Sequence, residues 1–161
     1  MPRKLKGLSP LISPTTKVLI LGSFPSAASL QKQQYYGHQQ NHFWRLLGSI
    51  IGADLANAPY EEKKSVVLGS AIGIWDVYQS CSREGSLDAS IKRPILNDFS
   101  LLRRFAPGIE KVCFNGKEAA KWEKQLRLLG LSTAVLPSSS PANTISFDKK
   151  LATWKKELTI H

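Results

Sequence analysis

The sequence predicts an α/β protein, with a three-layer α/β/α arrangement around a short, mainly parallel four-stranded sheet. Four short, continuous apolar runs have the character of strands that are buried on both faces. Helical patterns lie between these runs, and strands that alternate with helices are typical of a parallel sheet covered on both sides. The predicted strands are residues 18–21, 72–77, 112–114 and 133–136.

Helices are predicted where apolar residues recur at helical spacing. The second of these helices is closed by Gly130, and Ser146 is the predicted N-cap of the last. A shorter helical pattern covers about residues 94–105. The apolar positions are Phe43, Leu46, Leu47, Ile50 and Ile51 in the first helix, Ala119, Trp122, Leu126 and Leu129 in the second, and Leu151, Trp154 and Leu158 in the last.

The length of the chain, 161 residues, is that of one domain. We expect residues 1–161 to form a single domain, with a basic and loose segment over about residues 1–12. No apolar stretch follows that segment as it would in a secretory signal, and no apolar run approaches the roughly 18 residues of a membrane span. We therefore expect a soluble, cytoplasmic protein that is a monomer.

The charge of the chain indicates a nucleic-acid partner. Lys and Arg number 22 against 12 Asp and Glu, which leaves a net charge of +10. Such an excess attracts phosphate backbones, although a basic protein can also be merely soluble. The two cysteines, Cys81 and Cys113, lie far apart, and only three histidines are present. Because iron–sulfur and zinc sites need larger ligand sets, we expect no metal and no other cofactor.

The carboxyl ends of the predicted strands locate the candidate site, because ligands of such folds bind outside that edge of the sheet. This rule selects residues 22–26, 76–90, 115–116 and 137–143. The polar, aromatic stretch over residues 23–41 is also long for a loop, and loops of that length are usually functional or disordered.

Several of these segments carry side chains suited to a base or a phosphate, and each has an ordinary structural alternative. Tyr35 and Tyr36 offer faces on which a base can stack, whereas Asn41 can simply cap the helix that follows. Asp76 can accept a hydrogen bond from a base N–H, or cap its own loop. The small residues at 137–143 allow a close approach to phosphates, or form an ordinary Ser/Pro turn.

Taken in order, these motifs resemble the uracil-DNA glycosylase superfamily. The similarity covers about residues 15–150, and it is closer to the hypoxanthine-DNA (deoxyinosine) glycosylase branch than to the related mismatch-specific uracil glycosylases. The motifs are Gly22-Ser23-Phe24-Pro25, Asn41-His42-Phe43-Trp44, Trp75-Asp76-Val77, the loop over residues 81–88, and Asn115-Gly116.

The resemblance implies a three-layer α/β/α fold and a monofunctional, base-flipping DNA glycosylase. Most branches carry an Asp or Asn in the first motif to handle water, and this chain has Phe24 there. The hypoxanthine branch shares that departure and relies on an Asn at the position of Asn41. Ser138 replaces the His with which the last motif of many branches begins. The absence of both groups argues against strong activity on uracil.

The resemblance also implies roles for the candidate residues. Asn41 is the predicted catalytic residue and would orient the attacking water. Tyr36 would stack on the flipped base, and Asp76 would accept a hydrogen bond from N1–H of hypoxanthine. Ser23 and Phe24 complete the predicted base-binding set. The predicted DNA-binding residues are Asn115, Lys117, Ser138, Ser139, Ser140, Ala142 and Asn143, of which Ala142 or Asn143 would fill the gap left in the duplex.

Three other functions stay open. The first is the same chemistry on uracil or another deaminated base. The second is a catalytically silent module that binds DNA or RNA. The third is a serine hydrolase, which the many serines with His38 and His42 allow, although the G-x-S-x-G elbow of one large class is absent.

Overall fold

Seven strands, in a computed structural model that describes residues 3–159, form two sheets. Four of the strands make a parallel sheet, and three make a small antiparallel sheet. In chain order the strands are β1 (Lys4–Lys6), β2 (Val18–Gly22), β3 (Ile72–Asp76), β4 (Tyr78–Ser82), β5 (Lys92–Leu96), β6 (Lys111–Asn115) and β7 (Ser132–Leu136).

The parallel sheet has the strand order β3-β2-β6-β7. All of its pairings are parallel and free of register shifts, so the predicted strands and the predicted sheet are confirmed. Every residue of β2 and β3 is buried, as continuous apolar runs predict. Because the strands are parallel, their last residues reach one edge of the sheet. Those residues are Gly22, Asp76, Asn115 and Leu136.

Seven α-helices flank the sheets within residues 3–159, and none of them is both long and apolar enough to cross a membrane. In chain order they are α1 (Ala27–Lys32), α2 (Phe43–Ile51), α3 (Tyr60–Gly69), α4 (Leu102–Phe105), α5 (Lys117–Ala120), α6 (Glu123–Leu128) and α7 (Phe147–Leu158).

The hydrophobic core lies on both faces of the parallel sheet. Val18 and Ile20 of β2 belong to one cluster of buried side chains, whereas Leu19 and Leu21 belong to the other, as strand alternation requires. Side chains of α2, α3 and α7 complete the first cluster, and side chains of α4, α5 and α6 contribute to the second. Helices on both sides of a central sheet make the predicted three-layer α/β/α fold, which is confirmed.

The antiparallel sheet, which the sequence did not predict, has the order β1-β4-β5. Lys4 pairs with Ser82 and Lys6 with Ser80, and Leu11 forms an isolated bridge with the core strand β3. The N-terminal segment that was expected to be loose is therefore held by backbone pairing from Lys4 onward. Its first two residues lie outside the described range.

The helix predicted over residues 94–105 is wrong over its first half. Residues Lys92–Leu96 form β5, an edge strand of the antiparallel sheet. Pro94 lacks an N–H to donate, which an edge strand tolerates and a helix interior does not. A single 3₁₀ turn at Phe99–Leu101 follows, with the Asp98 side chain as its cap, and it leads directly into α4.

The other predicted helices are confirmed, with one change. Both α2 and α7 cover their apolar stripes, and Ser146 Oγ accepts a hydrogen bond from the backbone N–H of Lys149 at 3.3 Å. The second stripe is split into α5 and α6, with Trp122 at the break, where its Nε1 donates to the Tyr78 hydroxyl at 3.1 Å. The sequence did not predict α3, or α1 inside the stretch 23–41.

Candidate active site

A cleft of about 910 Å³ lies at the edge where the parallel strands end. Gly22, Asp76, Asn115 and Leu136, which are the final residues of the four strands, all line it. The cleft is at the position that the parallel α/β topology predicts for a ligand. Its volume falls within the roughly 300–1,000 Å³ of small-molecule sites.

The structure brings every candidate residue to this one cleft. Tyr36, Asn41 and Asp76, which come from separate segments of the chain, share it. We call Gly22, Tyr36 and Asp76 the base wall, and residues 137–143 the serine loop. The candidate residues that line the cleft are Ser23, Phe24, Tyr36, Asn41, Asp76, Asn115, Lys117, Ser138, Ser139, Ser140, Ala142 and Asn143.

Asp76 is a buried carboxyl group with one free oxygen. The residue is 5% exposed, and its Oδ2 has no hydrogen-bond partner within residues 3–159. Burial raises the pKa of Asp76 to about 7; the negative charge of Asp88 adds to the rise, and the Arg83 guanidinium opposes it. A buried polar atom without a partner is costly, so an incoming N–H donor in the cleft would relieve that cost.

Gly22 leaves the space that the base wall needs. A Cβ at this position would lie 2.6 Å from Asp76 Oδ1 and 2.8 Å from the Tyr36 hydroxyl oxygen. Real Cβ atoms do not approach other heavy atoms so closely, so a side chain here would displace both groups. The strand can bring the carboxyl and the phenol together only with glycine at its end.

The Tyr36 ring is held in a fixed place by its neighbours. Its face stacks on Phe43, with 3.8 Å between the ring centroids and 10° between the planes. Asn115 Nδ2 donates to the Tyr36 hydroxyl at 3.1 Å, and the Tyr36 backbone is left-handed, with φ of 53°. Burial, followed by the charge of Asp76, raises the pKa of Tyr36, which stays a neutral phenol.

Tyr35 does not offer a second stacking face. Its side chain is buried in the core on the α2 face of the sheet, and its hydroxyl donates to the carbonyl oxygen of Ser9 at 2.7 Å. Tyr35 is therefore a structural residue of the core, unlike its neighbour.

Asn41 lines the cleft just before α2 and has one half of its amide engaged by the backbone. Its Oδ1 accepts a hydrogen bond from the backbone N–H of Phe43 at 2.9 Å, but the N-cap of α2 is His42, one residue after the predicted cap. Its Nδ2 donates to no atom within residues 3–159. The bond to Phe43 therefore fixes the amide, while the NH₂ group remains able to donate to a water in the cleft.

Asn115 braces the base wall against the serine loop. Its Oδ1 accepts from the backbone N–H of Ser139 at 2.9 Å, and its Nδ2 donates to Ser139 Oγ at 2.9 Å and to the Tyr36 hydroxyl. Ser139 is 1% exposed. Asn115 and Ser139, two of the predicted DNA-binding residues, therefore use their polar groups to bond to each other. Their bonds hold the serine loop in place beside Tyr36.

The serine loop is further shaped by its own polar groups. Ser138 Oγ accepts from the backbone N–H of Ser140, and Ser140 Oγ accepts from that of Ala142, each at 3.1 Å. Asn143 Nδ2 donates to the carbonyl oxygen of Ser138 at 3.1 Å. The small side chains let a phosphate approach the loop closely.

A fully buried lysine, which sequence reasoning missed, supports the serine loop from α7. Lys150 is 0% exposed, and its Nζ lies 3.2 Å from His42 Nδ1 and 3.3 Å from the carbonyl oxygen of Ser140. The backbone N–H of His42 donates to the carbonyl oxygen of Ser139 at 3.0 Å. Burial lowers the pKa of Lys150 and of His42, and the charge of Lys150 lowers that of His42 further.

The turn after β2 is held by the loop over residues 81–88. Ser23 Oγ donates to Asp88 Oδ1 at 2.6 Å, and the guanidinium of Arg83 donates to the carbonyl oxygen of Pro25 and lies 5.3 Å from the centre of the Phe24 ring. Sequence reasoning missed Arg83, which is 6% exposed. A lone arginine in a polar loop carries no signal that it is buried.

Positive charge borders the cleft on the α5 side. Lys117 is exposed and lines the cleft, as does Lys121, which is paired with Glu118 at 2.8 Å. Within residues 3–159 no group of three or more His, Cys, Asp or Glu side chains is arranged to hold a metal ion.

The arrangement suits a flat, polar heterocycle attached to a phosphate backbone. Among the groups that line the cleft, Asp76 offers an acceptor, Asn41 offers a donor, and the serine loop offers small polar side chains. Asp76 lines the cleft, so a polar heterocycle that entered the cleft would come close to this carboxyl group.

Comparisons with known proteins agree with this geometry. The sequence profile of the Uracil DNA glycosylase superfamily matches residues 9–160. The Hypoxanthine DNA glycosylase of Methanosarcina barkeri is 44% identical over 151 residues, 94% of this chain and 96% of that protein. The Hypoxanthine DNA glycosylase of Methanosarcina acetivorans is 43% identical over 150 residues, 93% of this chain and 95% of that protein.

A solved structure shares the whole fold. The solution NMR structure of a Methanosarcina acetivorans protein, provisionally described as a uracil DNA glycosylase, superposes with a TM-score of 0.88 at 42% identity. The match covers 96% of each chain. The profile, the relatives and the shared fold all extend over nearly the whole sequence, and the chain therefore belongs to the uracil DNA glycosylase superfamily.

Proposed function

We propose that this chain is a monofunctional DNA glycosylase, which flips hypoxanthine out of DNA and hydrolyses its N-glycosidic bond as the first step of base excision repair. The buried Oδ2 of Asp76 carries the proposal, because it is an acceptor without a partner within residues 3–159 and belongs to a residue that lines the cleft. The two relatives named as hypoxanthine DNA glycosylases support the choice of base.

Hypoxanthine has the polar edge that the base wall would read. Its N1–H donates to Asp76 Oδ2 when the carboxyl is ionised, and its O6 accepts from backbone N–H groups. Tyr36 is fixed by its stack on Phe43 and contributes its free ring face or edge to the base. Extrusion of a nucleotide costs a few kcal/mol, and the cost is lower for a mispaired base such as hypoxanthine.

The DNA backbone would lie along the serine loop and the α5 side of the cleft. Lys117 supplies an exposed positive charge there, and the net charge of +10 supplies long-range attraction. The cleft is formed within a single chain, so we propose that the enzyme acts as a monomer. Because its proposed substrate is DNA, we propose that it acts inside the cell.

Bond cleavage leaves positive charge on the sugar and negative charge on the departing base, and fixed dipoles can stabilise both. The Asn41 amide donates to the attacking water and holds it near C1′ of the sugar, a positioning task because an amide is no base at neutral pH. The water's OH group ends on C1′, and its remaining proton neutralises the departing base.

Two alternatives differ in their observable products. Uracil also presents a ring N–H that Asp76 could accept, so a uracil or mismatch-specific glycosylase would use the same cleft. A silent DNA- or RNA-binding module would bind in a salt-dependent way and leave every base in place.

A glycosylase assay with alkaline strand cleavage tests the proposal. Duplexes and single strands that carry one deoxyinosine, deoxyuridine or deoxyxanthosine are incubated with an excess of the full-length chain. We expect abasic product from deoxyinosine at the highest rate. Product from deoxyuridine alone would favour the uracil alternative, and tight binding without any abasic product would contradict a glycosylase.

A further inference from the structure

An exposed leucine stands at the mouth of the cleft, on the loop over residues 81–88. Leu87 is 60% exposed, and it lines the cleft. Five large apolar side chains are exposed within residues 3–159, and only Leu87 and Val135 among them also line the cleft. The five are Leu87, Ile95, Leu128, Val135 and Ile145.

The backbone around Leu87 is held on both sides. Ser86 Oγ accepts from the backbone N–H of Ala27 at 2.9 Å, and Asp88 Oδ1 accepts from Ser23 Oγ at 2.6 Å. Arg83 Nε donates to the carbonyl oxygen of Gly85 at 3.0 Å. These bonds fasten the loop to the turn after β2, so Leu87 is fixed in the solvent rather than free to fold into the core.

The other groups that could fill such a gap are smaller: Val135, within β7, is 45% exposed, and the serine loop lines the cleft with small side chains. Ala142 is exposed but carries only a methyl group, and the Asn143 amide is engaged with the carbonyl oxygen of Ser138. An extruded base leaves a gap as deep as a nucleobase, which a methyl group does not fill. Proteins that unstack DNA commonly insert Leu, Ile, Phe or Met side chains between bases.

We propose that Leu87 inserts into the base stack beside the extruded nucleotide and holds the duplex open while the base occupies the cleft. The inference rests on the proposed function and extends it, because it assigns Leu87 a contact with the undamaged neighbouring bases. Leu87 thereby sets the preference between duplex and single-stranded DNA, since a single strand has no partner strand to hold apart.

The experiment compares Leu87→Ala, Leu87→Met and the control Leu128→Ala. Leu128 is even more exposed, at 77%, but it lies on α6 away from the cleft. Each protein receives the same deoxyinosine oligonucleotide, as a duplex and as a single strand, in single-turnover assays. A second duplex carries a stable abasic analogue beside 2-aminopurine, whose fluorescence rises when its neighbours unstack.

We expect Leu87→Ala to slow release from the duplex about tenfold or more, with the single-strand rate unchanged and the 2-aminopurine signal lost. Leu87→Met should keep most of the duplex rate, and Leu128→Ala should match the unaltered protein. An equal loss on both substrates, or none on the duplex, would overturn the proposal.

The fluorescence measurement separates this inference from the proposed function. If the unaltered protein releases no hypoxanthine but raises the 2-aminopurine signal in a Leu87-dependent way, the insertion of Leu87 is supported and the proposed glycosylase activity is contradicted. If Leu87→Ala gives the same 2-aminopurine signal as the unaltered protein, the insertion of Leu87 is refuted, whichever base the enzyme releases.

Discussion

The two sides of the cleft are built on different principles. In the base wall, sheet register sets Gly22 and Asp76 side by side at two strand ends, and ring packing on Phe43 fixes Tyr36, which lies between α1 and α2. The serine loop is held mainly by polar bonds, which come from Asn115, Lys150 and Trp154. Substitutions in the base wall should therefore abolish base recognition or base release. Substitutions around the serine loop should only weaken DNA binding and base release.

The largest effect on base release is expected for Asn41→Ala, at a residue of the cleft outside both the base wall and the serine loop. Loss of the donor to water should slow single-turnover base release about 100-fold or more, with DNA affinity nearly unchanged. Asn41→Asp is the control for folding, because it keeps the acceptor for the Phe43 N–H. A rate for Asn41→Ala equal to that of the unaltered protein would remove Asn41 from the mechanism.

A nearly equal loss is expected for Gly22→Ala, which tests how rigid the base wall is. The new Cβ meets Asp76 Oδ1 and the Tyr36 hydroxyl at less than van der Waals distance, so base release should fall steeply and the free energy of unfolding should drop by about 1–3 kcal/mol. Gly69→Ala is the matched control, since a Cβ at that position has nothing within 4 Å. Full activity of Gly22→Ala would show that the side chains of Asp76 and Tyr36 can move aside without loss of function.

The charge state of Asp76 should appear in the pH profile. Since its pKa is raised to about 7 and the ionised carboxyl accepts the base N–H more strongly than the neutral acid does, the rate constant for deoxyinosine at low DNA concentration should rise with pH through about 7. Asp76→Asn should remove that ionisation and shift the base preference, because an amide both donates and accepts. If the pH–rate profile of Asp76→Asn still rises through about pH 7, the ionisation does not belong to Asp76.

The same group makes a prediction for stability. A carboxyl with a pKa near 7 in the fold and about 4 unfolded stabilises the protein below about pH 4, and this contribution is lost as the pH rises to about 7. Asp76→Asn should therefore gain stability relative to the unaltered protein between pH 4 and pH 8 in urea unfolding. A stability difference that does not vary with pH would rule out the raised pKa.

A moderate effect is expected for Lys150→Met, which removes the support of the serine loop. DNA affinity and base release should both fall, each by about tenfold, because the Ser140 carbonyl and His42 lose their shared partner. Lys149→Met removes an equal charge from the exposed neighbouring position and is the control. Equal behaviour of the two variants would show that only net charge matters.

The smallest effect is expected for Lys117→Gln at the exposed edge of the cleft. Affinity should fall a few-fold for damaged and undamaged DNA alike, and the slope of log affinity against log salt should shrink by about 1. Lys155→Gln on α7 is the control, because that lysine is exposed and does not line the cleft. An unchanged slope would place the DNA backbone elsewhere.

The parts of the fold that the sequence predicts are those with a strong local signal. The buried strands β2 and β3 are continuous apolar runs, and α2 carries an apolar stripe. By contrast, β4 is largely polar in sequence although most of it is buried, and α3 buries only Val67. Neither segment has the periodicity that would reveal it, because its partners come from distant parts of the chain.

The same division holds for the site. Ser23, Asn41 and Asp76 follow strands or precede a helix in motifs that resemble a known family, so their common cleft could be expected. The burial of Lys150 and Arg83 could not be expected from the sequence. Each cation is surrounded by carbonyl groups and rings that only the folded chain brings together. Burial of a charge is decided by tertiary contacts, and no local pattern encodes it.

The pairing of β1 with β4 has a practical consequence for handling the protein. β4 leads directly into the loop that presents Leu87, and the strand formed by Lys4–Lys6 lies along its free side. A truncation past Lys6 would remove this strand from the side of β4 and weaken the support of the loop that carries Leu87, although the strand itself does not line the cleft.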